Sequence, residues 1–304
     1  MNHTPLQAQR GLPTSVGVTQ AWVYPPLYGP PTRADGLAVV THGIHQAVGW
    51  QVGWAQAIGQ KHRICEDSMA LRFIHPAATD ESAGIVISLG DGVGGGARGE
   101  VASNAIVRHC VECIEDAPID ELPPQYRLKQ WLAQGDSVVN RALCKVSAYP
   151  GASTLAAIWL NHDGAGWVTR VGDARAYVLK MEHDANGATK PVLWQWLQDQ
   201  TYKALGERPP HPSQDDAPAR MVGAGLIGEP EVLPIQMQSG SVVMLSSDGL
   251  HNWVSQDEIT HILSTHTSLD SAARLLVTMA QNHGSDDDIS ILLARKELSS
   301  TRRN

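Results

Sequence analysis

The chain has 304 residues, of which 42% are hydrophobic and 18% charged, with a formal net charge of −8. That length buries a sizeable core, as one large domain or two small ones. The acidic balance argues against a protein that grips nucleic-acid backbones through a basic face, and no apolar run approaches the roughly 18–20 residues of a membrane span.

Residues 1–45 show little periodicity, and Pro25-Pro26-Leu27-Tyr28-Gly29-Pro30-Pro31 cannot hold a helix and suits a strand poorly. They read as an N-terminal extension, partly flexible, before a folded domain at 46–296 and a polar tail at 297–304. The N-terminus has no charged segment followed by an apolar one, so no secretory signal is expected. Strands are expected at Gly49–Ile58, Met69–Ile74 and Ile85–Leu89. A helix follows at Glu100–Glu115. Pro118 to Pro124 break the chain before a second helical face running from Leu128 to Val146.

Two strand-like runs, Ser153–Leu160 and Gly166–Val171, flank Asn161-His162-Asp163-Gly164, a hairpin turn. Further strands are expected at Ala176–Leu179 and Val192–Leu197. Residues 199–230, dense in Pro, Gly and charge, read as a mobile flap. Ser241–Leu245 is a short apolar strand. Ser255 and Glu258 make a capping box for a helix at Gln256–Ser264. An amphipathic helix covers Leu269–Asn282, with Gly284 as its stop, and the last strand is Ile289–Ala294. The four cysteines, Cys65, Cys110, Cys113 and Cys144, read as thiols in a reduced, cytoplasmic setting. Cys110-x-x-Cys113 has no second pair with which to build a zinc site.

The chemistry concentrates in Gly84–Ser103. An apolar run stops at Asp91, a glycine-rich turn follows, and a helical segment opens near Gly99. Gly90-x-Gly92-x-x-Gly95 matches the dinucleotide fingerprint. Yet Asp91 lies inside the turn, where it repels a pyrophosphate, and the acidic residue expected about 20 positions on falls in a helical pattern. An Asp-Gly pair at a strand end suits a hard divalent cation, with carboxylate and bare backbone carbonyl both able to ligate. A plain β-turn is the third reading.

The order of the pieces resembles the type 2C protein phosphatases, in their compact bacterial form, from about Trp50 to Arg295. The resemblance rests on Glu66-Asp67-Ser68, Asp91-Gly92-Val93-Gly94-Gly95 with Gly99-Glu100-Val101-Ala102-Ser103, Ser153-Thr154, Val171-Gly172-Asp173-Ala174-Arg175-Ala176-Tyr177, Ser247-Asp248-Gly249-Leu250 and Asp287-Asp288-Ile289-Ser290. It implies an α+β fold, a four-layer α-β-β-α sandwich of two antiparallel sheets flanked by helix pairs. It implies that Asp91 bridges two divalent cations, Mn2+ or Mg2+, that Gly92 ligates one through its carbonyl, and that Asp248 and Asp287 hold the other. Glu66 and Asp67 would orient metal-bound water or ligate weakly. Asp173 would serve a third ion, with Asn252 as a further candidate.

The reaction so implied is hydrolysis of phosphoserine and phosphothreonine in proteins by a hydroxide held between the cations, opposing a Ser/Thr kinase. Its cations would acidify water and offset phosphoryl charge. The family's phosphate-gripping Arg corresponds here to His62. Arg63, one residue later, and Arg98, in the glycine loop, are the other candidates for the grip. A binding module on the same fold, holding phosphoprotein without turnover, is the alternative.

Overall fold

The computed structural model describes residues 20–24, 37–47, 49–60, 62–74, 84–93, 98–112, 125–146, 151–183 and 187–297, without the side chains of residues 20 and 21. The turn glycines Gly94, Gly95 and Gly96, Cys113, the proline run 25–31 and the break at 118–124 lie outside them.

The elements run β1 (Gln20–Tyr24), β2 (Thr41–Ala47), β3 (Trp50–Ala57), β4 (Ser68–Ile74), β5 (Gly84–Gly90) and β6 (Gly92–Val93), then α1 (Gly99–Glu112) and α2 (Gln125–Leu143). Next come β7 (Ala152–Ser153), β8 (Leu155–Asn161), β9 (Ala165–Val171), β10 (Arg175–His183), β11 (Thr189–Gln195) and the short α3 (Tyr202–Leu205). The chain closes with β12 (Glu231–Gln236), β13 (Val242–Ser246), the one-turn α4 (Asp248–His251), α5 (Gln256–Thr265), α6 (Leu269–Asn282) and β14 (Ile289–Lys296).

Side-chain alternation along the strands dictates the layering. In β8, Ala156, Ile158 and Leu160 join one apolar cluster, and Leu155, Ala157 and Trp159 join another. Both faces are therefore covered. One sheet has the order β1-β4-β5-β8-β9-β12 and the other β11-β10-β13-β14-β3-β2, with every pairing antiparallel. Met69, Phe73, Ile87 and Leu89 of the first sheet meet Val243, Leu245 and Leu292 of the second. The helices α1 and α2 cover the outer face of the first sheet through Ile106, Val107, Leu128 and Leu132. On the second sheet, α5 and α6 do the same through Ile259, Ile262, Leu276 and Val277. The result is the four-layer α-β-β-α sandwich. Each of these aliphatic side chains contributes about 1.5–3 kcal/mol by leaving water.

Three edge strands depart from the sequence expectation. Residues 1–45 read as an extension, yet β1 pairs with β4, and β2, starting at Thr41, pairs with β3. Trp22 and Tyr24 of β1 reach across to the other sheet, Trp22 stacking on His45 at 4.4 Å and Tyr24 on Trp54 at 4.5 Å. These aromatic contacts tie the two sheets together along one side. The third is β12, in a stretch for which no element was expected and which carries Pro234. It sits at a sheet edge, where a missing N–H breaks no ladder. A short helix, α4, was also unexpected after β13.

Gly53 sets how closely α6 approaches the second sheet. A Cβ there would lie 2.5 Å from the Leu269 carbonyl carbon and 2.6 Å from the Asp270 nitrogen. Backbone cannot swing aside as a side chain can, so Gly53→Ala must push α6 off the sheet. The expected cost is about 3 kcal/mol, or a fall in Tm of roughly 6–12 °C for a domain of this size. Thermal unfolding at fixed Mn2+ concentration checks it, and a Tm within about 2 °C of wild type would show that the contact is not tight.

Candidate metal centre

Antiparallel pairing gathers the acidic residues at one end of the sandwich. β5, β9 and β13 run toward that end and finish just before Asp91, Asp173 and Asp248. β4 and β14 run away from it and begin just after Asp67 and Asp288. The last pair of the β4–β5 ladder is Ser68 with Gly90, so Asp67 and Asp91 stand one step beyond it, side by side.

Between them is a cavity of about 240 Å³. Its lining includes Glu66, Asp91, Gly92, Asp173, Asp248 and Asp287 of the expected metal set, together with His62. Val93, Thr154, Pro218 and Asp288 complete the wall, and sequence reasoning assigned none of these four to the site. Asp67 lies behind it, buried. Asn252 sits at the C-terminal end of α4, where its amide donates to Asp248 Oδ2 at 3.3 Å, and is not part of the wall.

The backbone at Asp91 is pinned from one side. Thr154 N and Ser153 Oγ both donate to its carbonyl, at 2.8 and 3.0 Å, and its own N–H donates to Thr154 Oγ1 at 3.2 Å. Gly92 must be glycine. A Cβ there would stand 2.3 Å from Gly99 O and 2.6 Å from Glu66 O, so the backbone of the Asp91–Gly92 turn is packed directly on the entrance to α1 and on the Glu66 backbone just before β4.

Electrostatically the cavity is loaded against itself. Burial raises the Asp91 pKa well above the usual carboxylate range, and the charges of Asp67, Asp248, Asp173 and Asp287 push it further. Burial, with Asp248 next, lifts Asp173 to about 7. Burial, with Asp287 next, lifts Asp248 to about 6. Asp67 is raised well above its ordinary value by burial and then by Asp288. Neither Asp67 oxygen has a partner in hydrogen-bond geometry, although the hydroxyls of Ser290 and Ser247 approach and partly offset the burial. A buried carboxylate with no settled partner, beside several others, is what a divalent cation relieves. The donors are carboxylate and carbonyl oxygens, the hard set that Mg2+ and Mn2+ prefer. The residues present therefore fit such ions.

One side chain of the wall can carry positive charge. His62 Nδ1 lies 2.9 Å from Asp288 Oδ2 and 4.0 Å from Asp287 Oδ1. The hydrogen bond to Asp288, and then the charges of Asp288, Asp287 and Glu66, outweigh burial and raise its pKa to about 9. Asp288 is itself held by the 59–66 loop. Gly59 N donates to Oδ1 at 2.7 Å and Glu66 N to Oδ2 at 2.6 Å. Among the described residues, His62, Asp287 and Asp288 are also close enough together to share an ion. Arg63, by contrast, is exposed and absent from the wall. Arg98 is paired with Glu100 and is likewise absent from it. The resemblance placed Asp287 among the ion ligands and gave Asp288 no role. Asp287 is half exposed at the cavity and Asp288 is buried under the His62 loop.

Comparisons with known proteins bear on the fold and the family. The family model described as protein phosphatase 2C matches residues 58–293. The serine/threonine phosphatase stp of Listeria monocytogenes is 26% identical over 233 residues, covering 72% of this chain and 87% of that protein. The crystal structure of the Mycobacterium tuberculosis serine/threonine phosphatase PstP/Ppp superposes with a TM-score of 0.64 at 22% identity, over 82% of this chain and 99% of that one. The catalytic domain of PstP in complex with two manganese ions superposes with a TM-score of 0.61, also at 22% identity, over 81% of this chain and 97% of that one. Every residue that lines the cavity falls inside the matched stretch, and the chain belongs to the protein phosphatase 2C family, the metal-dependent serine/threonine phosphatases.

Proposed function

We propose that this chain removes phosphate from phosphoserine and phosphothreonine in proteins, with Mn2+ or Mg2+ held by Asp91, Gly92, Asp248 and Asp287. Glu66 and Asp67 orient the ions' water, and Asp173 serves a third, looser ion. The observation that carries this reading is the convergence of Glu66, Asp91, Asp173, Asp248 and Asp287 on one cavity with the unsatisfied Asp67 behind them. When bound, such ions make coordinated water acidic at neutral pH and offset charge on the phosphoryl oxygens.

The chain's own residues supply fixed geometry and one cation. Ser153 and Thr154 hold the Asp91 backbone still, which keeps its carboxyl aimed at the cavity. His62, held by Asp288, supplies positive charge where the substrate's phosphate must enter, and so takes the gripping role for which Arg63 and Arg98 were also candidates. We place the reaction in the cytoplasm, opposite a Ser/Thr kinase whose products it removes. The alternative, a phosphoprotein-binding module without turnover, is not favoured, since the acidic set is complete.

Hydrolysis of p-nitrophenyl phosphate and of a phosphothreonine peptide tests this in Mn2+, in Mg2+ and in EDTA. Turnover is expected in either metal and none in EDTA. His62→Ala should raise KM for the peptide by about 10-fold or more, the worth of one charge-assisted hydrogen bond, with Mn2+ affinity by calorimetry unchanged. Arg63→Ala should change neither. A folded wild-type chain that turns over neither substrate in any metal would overturn the assignment.

A further inference from the structure

A dense polar cluster outside the cavity wall is built on Asp199, at the root of the 199–230 segment. Its carboxylate accepts from Arg175 Nε at 2.9 and 3.1 Å and from Arg175 Nη2 at 2.6 Å. It also accepts from Arg170 Nη1 at 3.0 Å and from Gln195 Nε2 at 2.8 Å. Arg170 is 1% exposed, and burial lowers its pKa to about 10. A guanidinium so buried needs this partner. The same Arg170 Nη1 donates to Gly172 O at 3.1 Å.

Gly172, with φ +89°, is the turn that delivers Asp173 to the cavity. The residue after Asp199 closes the other side of that peptide. Gln200 Oε1 accepts from Gly172 N at 2.9 Å, and Gln200 N donates to Gly172 O at 2.9 Å. Gln200 O in turn accepts from Ala219 N at 2.8 Å, and Thr201 bridges to Pro218, which lines the cavity. An unbroken chain of contacts therefore runs from Asp173, through Gly172 and the Asp199–Gln200 root, to the far limb of the segment.

We propose that Asp199 is a positioning residue for the third cation site: it locks the Gly172–Asp173 turn to the root of the 199–230 segment, so that an ion at Asp173 and the seating of Pro218 over the cavity are coupled. The inference rests on the reading of Asp173 as an ion ligand. Its physical basis is that a ligand can hold an ion tightly only if its backbone is held first. Here the holding group is also the root of a segment whose Pro218 lines the cavity. Coupling of this kind is reciprocal: an ion that orders the turn orders the segment, and a segment pulled away loosens the ion.

Asp199→Asn keeps the size and one acceptor oxygen but removes the charge. In titration calorimetry with Mn2+, the weakest binding step should lose affinity about tenfold while the tighter steps keep theirs. In hydrogen–deuterium exchange, Mn2+ should slow the amides of residues 200–219 in wild type and fail to do so in Asp199→Asn and in Asp173→Asn. Gln200→Ala, which leaves the buried Arg170 its partner, should weaken the same step, and Asp199→Glu should restore part of it. Unchanged Mn2+ steps in Asp199→Asn and Gln200→Ala, or equal loss at every step, would reduce Asp199 to a structural ion pair and overturn the proposal. A folded wild type that shows no Mn2+ step at all would instead sink the metal reading on which the proposal stands.

Discussion

Asp91→Asn should lower Mn2+-dependent kcat/KM on a phosphothreonine peptide by about 1,000-fold or more, the scale on which pre-organised charge at a reaction centre acts. The same substitution should make the metal-free protein more stable. Both effects have one cause. The amide keeps the shape of the side chain, and the hydrogen bonds that fix residue 91 are made by its backbone with Ser153 and Thr154, so the fold at this point is untouched. What disappears is a negative charge from a cavity where Asp67, Asp248, Asp173 and Asp287 already repel it. Without ions that charge is a cost. With ions it would be one of the charges that hold them. Turnover within about tenfold of wild type would remove Asp91 from the ion-holding set. An unaltered Tm in EDTA would show that repulsion among these carboxylates is not stored in the fold.

The central layers were readable because their residues are repetitive in the way burial demands. Ile85–Leu89 and Ser241–Leu245 are short, apolar and β-branched, and each stops at an Asp-Gly or Ser-Asp-Gly turn. The same property located the site, since polar residues at the ends of buried strands have to face one rim of the sandwich. Edge strands lack that signature. β2 alternates half-buried and exposed residues, with His42, Gly43 and His45 among them, and β12 carries a proline. A strand paired on one side only needs less apolar surface and tolerates a missing donor, so composition hides it.

Within the site, Asp91 and Asp248 stood out as Asp-Gly pairs ending apolar runs, and Asp173 came from the family resemblance. Asp288 did not stand out, because its meaning depends on His62, 226 residues away in the chain. A run of three aspartates offers no local signal for which one is buried. The Asp199 clamp was hidden for the same reason: Asp199 stands in a stretch that reads as irregular, and its partners, Arg170 and Arg175, lie on strands. What a single sequence withholds is the pairing of charges across the fold, and in this protein those pairings hold the backbone beside the cavity's acidic residues.

Stability should depend on pH in opposite senses with and without metal. In EDTA, Tm should fall by roughly 10 °C between about pH 5 and about pH 8, and Mn2+ should stabilise the protein far more at the upper end. The sign follows from the direction of the shifts. Folding lifts Asp173 to about 7 and Asp248 to about 6, above the ~3.9 of an unfolded aspartate. Between those values the folded state binds more protons than the unfolded chain, so its stability is full at low pH and is lost as pH rises through the folded values. His62, raised to about 9 by Asp288, adds to the loss at the upper end of the range. Ions at the cavity favour the ionised carboxylates and so reverse the slope, because the proton and the metal compete for the same oxygens. A Tm in EDTA that stays level or climbs from about pH 5 to about pH 8 would mean that the acidic residues relax apart when no ion is bound. The cavity would then be assembled by its metals. A falling Tm would mean that the two sheets hold the carboxylates together at a standing cost, ready for ions to occupy.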